Sequence, residues 1–113
     1  MDPIQFFKCL AQDTRLKSLL LIEQHQELCV CDLIDALALS QPKVSRHLAE
    51  LRKCELLVDE RRGKWVYYKL HPSLPHWAKQ ILATTRLQNP SFLHEELCRL
   101  QTNGIADATR CCP

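Results

Sequence analysis

SQPKVSRHLAELR, from Ser40 to Arg52, decides how the chain is read. Ser40 is a good helix N-cap, and Pro42 is tolerated in a first turn, where its missing N–H costs nothing. Val44, Leu48 and Leu51 follow at i, i+4 and i+7 and so share the side of a helix that faces a core. Arg46 and Lys53 point the opposite way, with Pro42 and Lys43 nearby. Just upstream, in ELCVCDLIDALAL (Glu27–Leu39), Asp32 followed by Leu33, Ile34 and Leu37 reads as about two turns of helix with an apolar side. Two short helices joined by a tight turn, the second with a cationic outer face, form a helix-turn-helix pattern.

The flanking sequence extends that pattern. LLVDERRGKWVYYKL (Leu56–Leu70) sets strand-forming residues on either side of a polar turn at Gly63, with Val66, Tyr68 and Leu70 alternating against Trp65, Tyr67 and Lys69. That is a hairpin signal, its tip carrying Arg61, Arg62 and Lys64. Upstream, Pro3 opens a short helix with Ile4, Phe7 and Leu10 on one face, and Asp13 is the expected N-cap of a second helix rich in buried leucine. Beyond Pro75, Trp77, Ile81 and Leu82 mark another helix. Pro90 interrupts it, and Ser91 caps a last helix with Phe92, Leu93 and Leu97 inward and Glu95 and Glu96 at its positive end. The expected fold is mainly α with a β-hairpin wing, a homodimeric winged helix-turn-helix. Residues 1–102 form the domain, and 103–113, which lack periodicity, form a flexible tail.

At 113 residues the chain has room for one modest core, which burial through dimerisation would extend. The net charge of +2 hides an uneven distribution. Between Gln41 and Lys69 lie 8 basic and 4 acidic residues, leaving +4 there and −2 elsewhere. A basic segment on an otherwise acidic chain suits phosphate. With the second helix in a major groove, Gln41, Lys43, Ser45 and Arg46 are the residues expected at double-stranded DNA. Arg46 matches a guanine edge and Gln41 an adenine. Arg61, Arg62 and Lys64 would follow the backbone or enter the minor groove. No apolar run is long enough to span a membrane and the N-terminus does not read as a signal peptide, so a cytoplasmic location is expected. Neither a Gly-rich phosphate loop nor a nucleophile elbow is present, which argues against an enzyme.

The 7 cysteines are Cys9, Cys29, Cys31, Cys54, Cys98, Cys111 and Cys112. In a reducing compartment an odd set favours soft-ion or redox chemistry over a disulfide framework. Cys29-Val30-Cys31 sits just before a helix, where a thiol loses its proton more readily. Residues i and i+2 lie roughly 200° apart around a regular helix but share a face in an extended segment. Chelation by Cys29 and Cys31 therefore favours a frayed helix start. If DNA prefers that helix formed, ion and DNA oppose each other. Cys9, Cys54 and Cys98 read as lone core cysteines, and the histidines show no ligand spacing.

ELCVCDL (Glu27–Leu33), SQPKVSRHLAELR (Ser40–Arg52), GKWVYYKLHPSLPHWA (Gly63–Ala78) and DTRL (Asp13–Leu16) together resemble the ArsR/SmtB family of metal-sensing repressors, specifically its arsenical-resistance operon repressors. The resemblance implies a homodimer joined through its first and last helices, repression of a resistance operon, and release by arsenite or antimonite. The ligands would be three thiolates, two of them Cys29 and Cys31, with no organic cofactor. This chain carries Ile34 where such a repressor has its third cysteine, leaving Cys111 or Cys112, or an exogenous ligand, to complete the site. The cadmium- and lead-sensing branch shares the LCVCD stretch and is the alternative, with Cys9 the one cysteine near the N-terminus. A thiol redox-switched regulator is a further alternative.

Overall fold

The computed structural model describes residues 1–102. Segment 103–113, with Cys111 and Cys112, lies outside the described residues. The order of elements is α1 (Pro3–Leu10), α2 (Asp13–His25), β1 (Glu27–Cys29), α3 (Val30–Leu37), α4 (Gln41–Lys53), β2 (Leu57–Arg62), β3 (Trp65–Leu70), α5 (His76–Gln88), a 3₁₀ turn (Pro90–Leu93) and α6 (His94–Thr102). A small antiparallel sheet with strand order β1-β3-β2 packs against α2, α3 and α4.

α2 is the hub. Leu19, Leu20, Leu21 and Ile22 are all fully buried, so this helix has no solvent face over that turn. It packs against α1, α3, α4, α5 and the sheet. Val44, Leu48 and Leu51 of α4 are buried to the last atom, as their spacing predicts. Each such side chain stabilises the fold by roughly 1.5–3 kcal/mol over exposure. α4 ends in a Schellman motif. The N–H of Glu55 donates to the Arg52 carbonyl and that of Leu56 to the Leu51 carbonyl, while Glu55 adopts φ 63°.

Four local expectations need correction, the first being that Ser91, expected to cap the last helix, lies inside the 3₁₀ turn Pro90–Leu93 and α6 begins at His94. The buried face of α1 is Phe6, Cys9 and Leu10, while Ile4 and Phe7 are exposed by 63% and 48%. The N-cap of α2 is Gln12, one residue before Asp13, because the Gln12 side chain accepts the Arg15 N–H at 2.8 Å and leaves Asp13 inside the helix. The helix read from Asp32 begins two residues earlier, at Val30, so Cys31 lies inside it and not before it. Glu27, Leu28 and Cys29 pair with Lys69, Tyr68 and Tyr67 as a third strand. Three residues carry too little alternation to be read as a strand, and only the partner edge of β3 makes them one.

The wing matches its reading. Arg62 and Trp65 close the ladder across a two-residue loop, and Gly63 takes φ 66° at its first position, where such turns favour glycine. α6 lies on α3. The Arg99 Nε–H donates to the Ala36 carbonyl at 2.7 Å, setting a cation at the negative end of α3. Buried Glu96 accepts from Lys17 at 3.1 Å and lies 3.5 Å from Arg99. Burial pulls the Lys17 ammonium down, but its hydrogen bond and attraction to Glu96 outweigh that and raise it. Among the described residues no helix is long and apolar enough to cross a membrane.

Candidate nucleic-acid interface and thiol site

α3 and α4 form the helix-turn-helix, joined through Ala38, Leu39 and the N-cap Ser40. The outer face of α4 presents Gln41, Lys43 and Arg46 to solvent. Gln41 Nε2 donates to Ser45 Oγ at 2.8 Å, so these two residues hold each other one turn apart. Among the described residues no carboxylate pairs with Lys43 or Arg46. Behind them His47 is half-buried, and its Nδ1 has no hydrogen-bond partner among the described residues. Burial, then the charges of Arg15 and Arg46, hold this imidazole below its ordinary pKa against a weaker pull from Glu50.

Arg61 and Lys64 are exposed at the wing, with the Lys64 ammonium 5.8 Å from the Trp65 ring centre. Arg62 is placed differently from what its position in the sequence suggests. Its guanidinium forks the Glu27 carboxylate at 3.0 and 2.7 Å, bonds Glu60 at 3.0 Å and stacks 4.6 Å over Tyr67. Glu60 and then Glu27 push Arg62 further up, and Arg62 holds Glu60 below the usual carboxylate range. Pairs this exposed add little stability, but they fix Arg62 against β1, two residues from Cys29.

Cys29 is the last residue of β1 and the N-cap of α3, with an extended backbone at φ −73°, ψ 152°. Its N–H donates to the buried Asp32 carboxylate at 3.2 Å, closing the first turn of α3. Register sets Cys29 opposite Tyr67, and the side chain packs with Val30, Cys31, Trp65 and Tyr67 in a cluster separate from the main core. Cys31 is half-buried inside the helix. The two sulfurs thus straddle the boundary between extended and helical backbone. Among the described residues no group of three or more His, Cys, Asp or Glu could hold a metal ion, so within them this site offers two sulfurs. Ile34, one turn beyond Cys31, packs against the main core.

The other cysteines depart from the lone-core reading. Cys9 and Cys54 are joined in a disulfide between α1 and the C-cap of α4. Nothing in the sequence pairs them, since 45 residues separate the two and only the packing of α1 beside the end of α4 makes them neighbours. Within the chain Cys9 belongs to the main core and not to the Cys29 cluster. Cys98 is exposed on α6 with its sulfur 3.8 Å from His94 Nε2. Sequence reasoning also missed the Glu27–Arg62–Tyr67 contact, which depends on the unread strand β1.

A helix-turn-helix with a cationic second helix and a basic hairpin defines a winged-helix DNA-binding regulator rather than an enzyme. Residues 12–58 match the model of the bacterial regulatory protein, arsR family. The chain is 49% identical over 104 residues to the arsenic resistance transcriptional regulator ArsR1 of Pseudomonas putida, covering 92% of this chain and 81% of that protein. It is 58% identical over 80 residues to the arsenical resistance operon repressor of Escherichia coli, covering 71% and 68%. Among solved structures, HlyU from Vibrio cholerae superposes with a TM-score of 0.68 at 28% identity, covering 75% of this chain and 88% of that one. The AntR antimony-specific transcriptional repressor superposes at 0.65 with 27% identity, covering 78% and 77%. The chain belongs to the arsR family of transcriptional regulators.

Proposed function

We propose that this protein is a repressor that binds operator DNA as a homodimer and leaves it when trivalent arsenic or antimony is captured by the Cys29 and Cys31 thiolates. One observation carries the reading: Cys29 is at once the end of β1 and the N-cap of the helix that leads into α4. Capture replaces two oxygens of arsenous acid by two sulfurs and releases two waters. Both sulfurs reach one arsenic when Val30 and Cys31 turn extended, since only then do i and i+2 share a face. That geometry breaks the Cys29–Asp32 bond and frays α3. Because α3 packs on α4, the surface that meets DNA shifts with it. Ligand and DNA thereby oppose each other through one equilibrium.

On DNA, Arg46 and Lys43 are assigned to the major groove together with Gln41 and Ser45, and Arg61, Arg62 and Lys64 to the wing contact with the backbone. Arg62 contributes there only by leaving Glu27 and Glu60. The exposed apolar side chains Ile4, Phe7 and Leu87, on α1 and α5, support burial against a second copy. The third arsenic ligand is a solvent oxygen or a tail thiolate from Cys111 or Cys112. Ile34, where the resemblance expects the third cysteine, offers no donor.

Fluorescence anisotropy of a labelled duplex from upstream of the protein's own gene, under reducing conditions, tests the reading. Arsenite is expected to release the preformed complex and cadmium to do so far less, while Cys29→Ser binds the duplex as wild type does and ignores arsenite. Release by cadmium alone would assign the protein to cadmium or lead sensing. Release of Cys29→Ser by arsenite would overturn the thiolate assignment.

A further inference from the structure

We infer that Cys9 and Cys54 are an oxidant-controlled cross-link that pins the recognition helix α4 to α1, a covalent site separate from the Cys29–Cys31 pair. The two sulfurs are bonded in the structure across elements 45 residues apart. They differ in access. Cys9 is 6% exposed and faces the core, its sulfur 3.9 Å from the Glu50 carbonyl oxygen, which it would meet as a thiol. Cys54 is half-buried and borders a solvent-open hollow of about 320 Å³, whose wall also carries Asp2, Phe6, Lys53 and Glu55. A small hydroperoxide fits that hollow, whose wall sets the Lys53 cation beside the Asp2 and Glu55 carboxylates.

The order of events follows from access. The Cys54 thiolate attacks the distal oxygen of the hydroperoxide, the O–O bond breaks, and the leaving alkoxide or hydroxide takes up a proton. Cys54 is then a sulfenic acid. The Cys9 thiol attacks that sulfur, forming the S–S bond and expelling water. Two thiols and one hydroperoxide become one disulfide, one alcohol or water, and one water. A thiol reductant reverses the step by exchange.

The position of the bond gives it a consequence. Cys54 is the C-cap of α4, and Cys9 lies in the last turn of α1, whose Ile4 and Phe7 remain exposed. α2 packs against both helices, and the cross-link adds a direct covalent tie between them. Helices α3 and α4 are both complete in the cross-linked structure, so the oxidised form retains the geometry assigned to DNA binding. The retained DNA-binding geometry rests on the proposed function, whereas the cross-link itself does not.

The test treats reduced full-length protein with hydrogen peroxide, blocks remaining thiols by alkylation and digests with trypsin. The expected product is a disulfide-linked pair of the peptides spanning residues 9–15 and 54–61, lost on reduction and absent from Cys9→Ser and Cys54→Ser. Oxidised wild type should melt on the order of 10 °C above reduced protein, with both variants insensitive. Operator affinity of the oxidised form should stay within about threefold of the reduced form. Pairing of Cys54 with another cysteine, or equal melting of the two forms, would overturn the cross-link. A tenfold or greater loss of operator affinity on oxidation, absent in both variants, would overturn the retained geometry. Failure of both forms to bind the duplex would count against the proposed function and leave the peptide and melting results standing.

Discussion

His47 shows how a side chain next to a recognition surface becomes a liability in acid. It lies behind Arg46, half-buried, with an unpartnered Nδ1 among the described residues and two guanidinium groups acting on it. Its imidazole is therefore harder to protonate in the folded chain than in the unfolded one. The unfolded state binds the extra proton first, so stability falls as pH drops below the unfolded value near 6.5. Above that value the group contributes no pH dependence. Urea unfolding should show a decline between about pH 7 and pH 5 that His47→Gln flattens. An unchanged slope in the variant would remove His47 as the cause. Arg62 makes the converse point: a cation that reads as free in the sequence is held by two carboxylates and an aromatic ring.

At the level of elements, the ends of the helices carry more information than their middles. α4 stops because Glu55 accepts the left-handed backbone of a Schellman motif, a conformation that costs an L-residue with a Cβ roughly 1–2 kcal/mol. Glu55→Gly should therefore raise the unfolding free energy by about 1 kcal/mol in a denaturant titration, after the flexibility glycine adds to the unfolded chain. A loss of stability would mean that the Glu55 side chain makes a contact worth more than the strain. α3 is the weaker helix, only 8 residues long. Isolated helices of that length do not persist, and this one is held by Asp32 at its start and Arg99 at its end. A short helix supported at both ends is well suited to respond when one support is lost.

For the whole molecule, folding packs α4 against β2 of the wing, and within residues 41–69 it pairs Arg52, Arg62 and Lys69 with carboxylates while leaving Lys43, Arg46, Arg61 and Lys64 exposed. Two copies joined through α1 and α5 would present this surface twice, so binding should be steeply salt-dependent. The slope of log affinity against log salt should fall in magnitude by about 0.9 for each phosphate contact removed. In the proposed homodimer, Lys64→Gln would remove two such contacts and should flatten the slope by roughly 2 with little change in sequence preference. An unaltered slope would take the wing off the DNA backbone. The disulfide also acts at this scale. Closing a loop of 45 residues restricts the unfolded chain by about 4 kcal/mol in the chain-entropy model.

The helix-turn-helix, the hairpin and the thiol pair were legible in the residues because each is local: Val44, Leu48 and Leu51 repeat at helical spacing, Gly63 sits between alternating strands, and Cys29 and Cys31 are two apart. Periodicity and turn chemistry act over a few residues and need no distant partner. Strand β1, the outward turn of Ile4 and Phe7, the hold of Glu27 and Glu60 on Arg62, and the Cys9–Cys54 bond were decided only by tertiary structure. Each depends on residues far apart in the chain, and three consecutive residues such as Glu27–Cys29 contain no signal of the strand edge that β3 offers them. Local sequence determined which elements form. Packing determined which side chains those elements bury, pair and leave exposed.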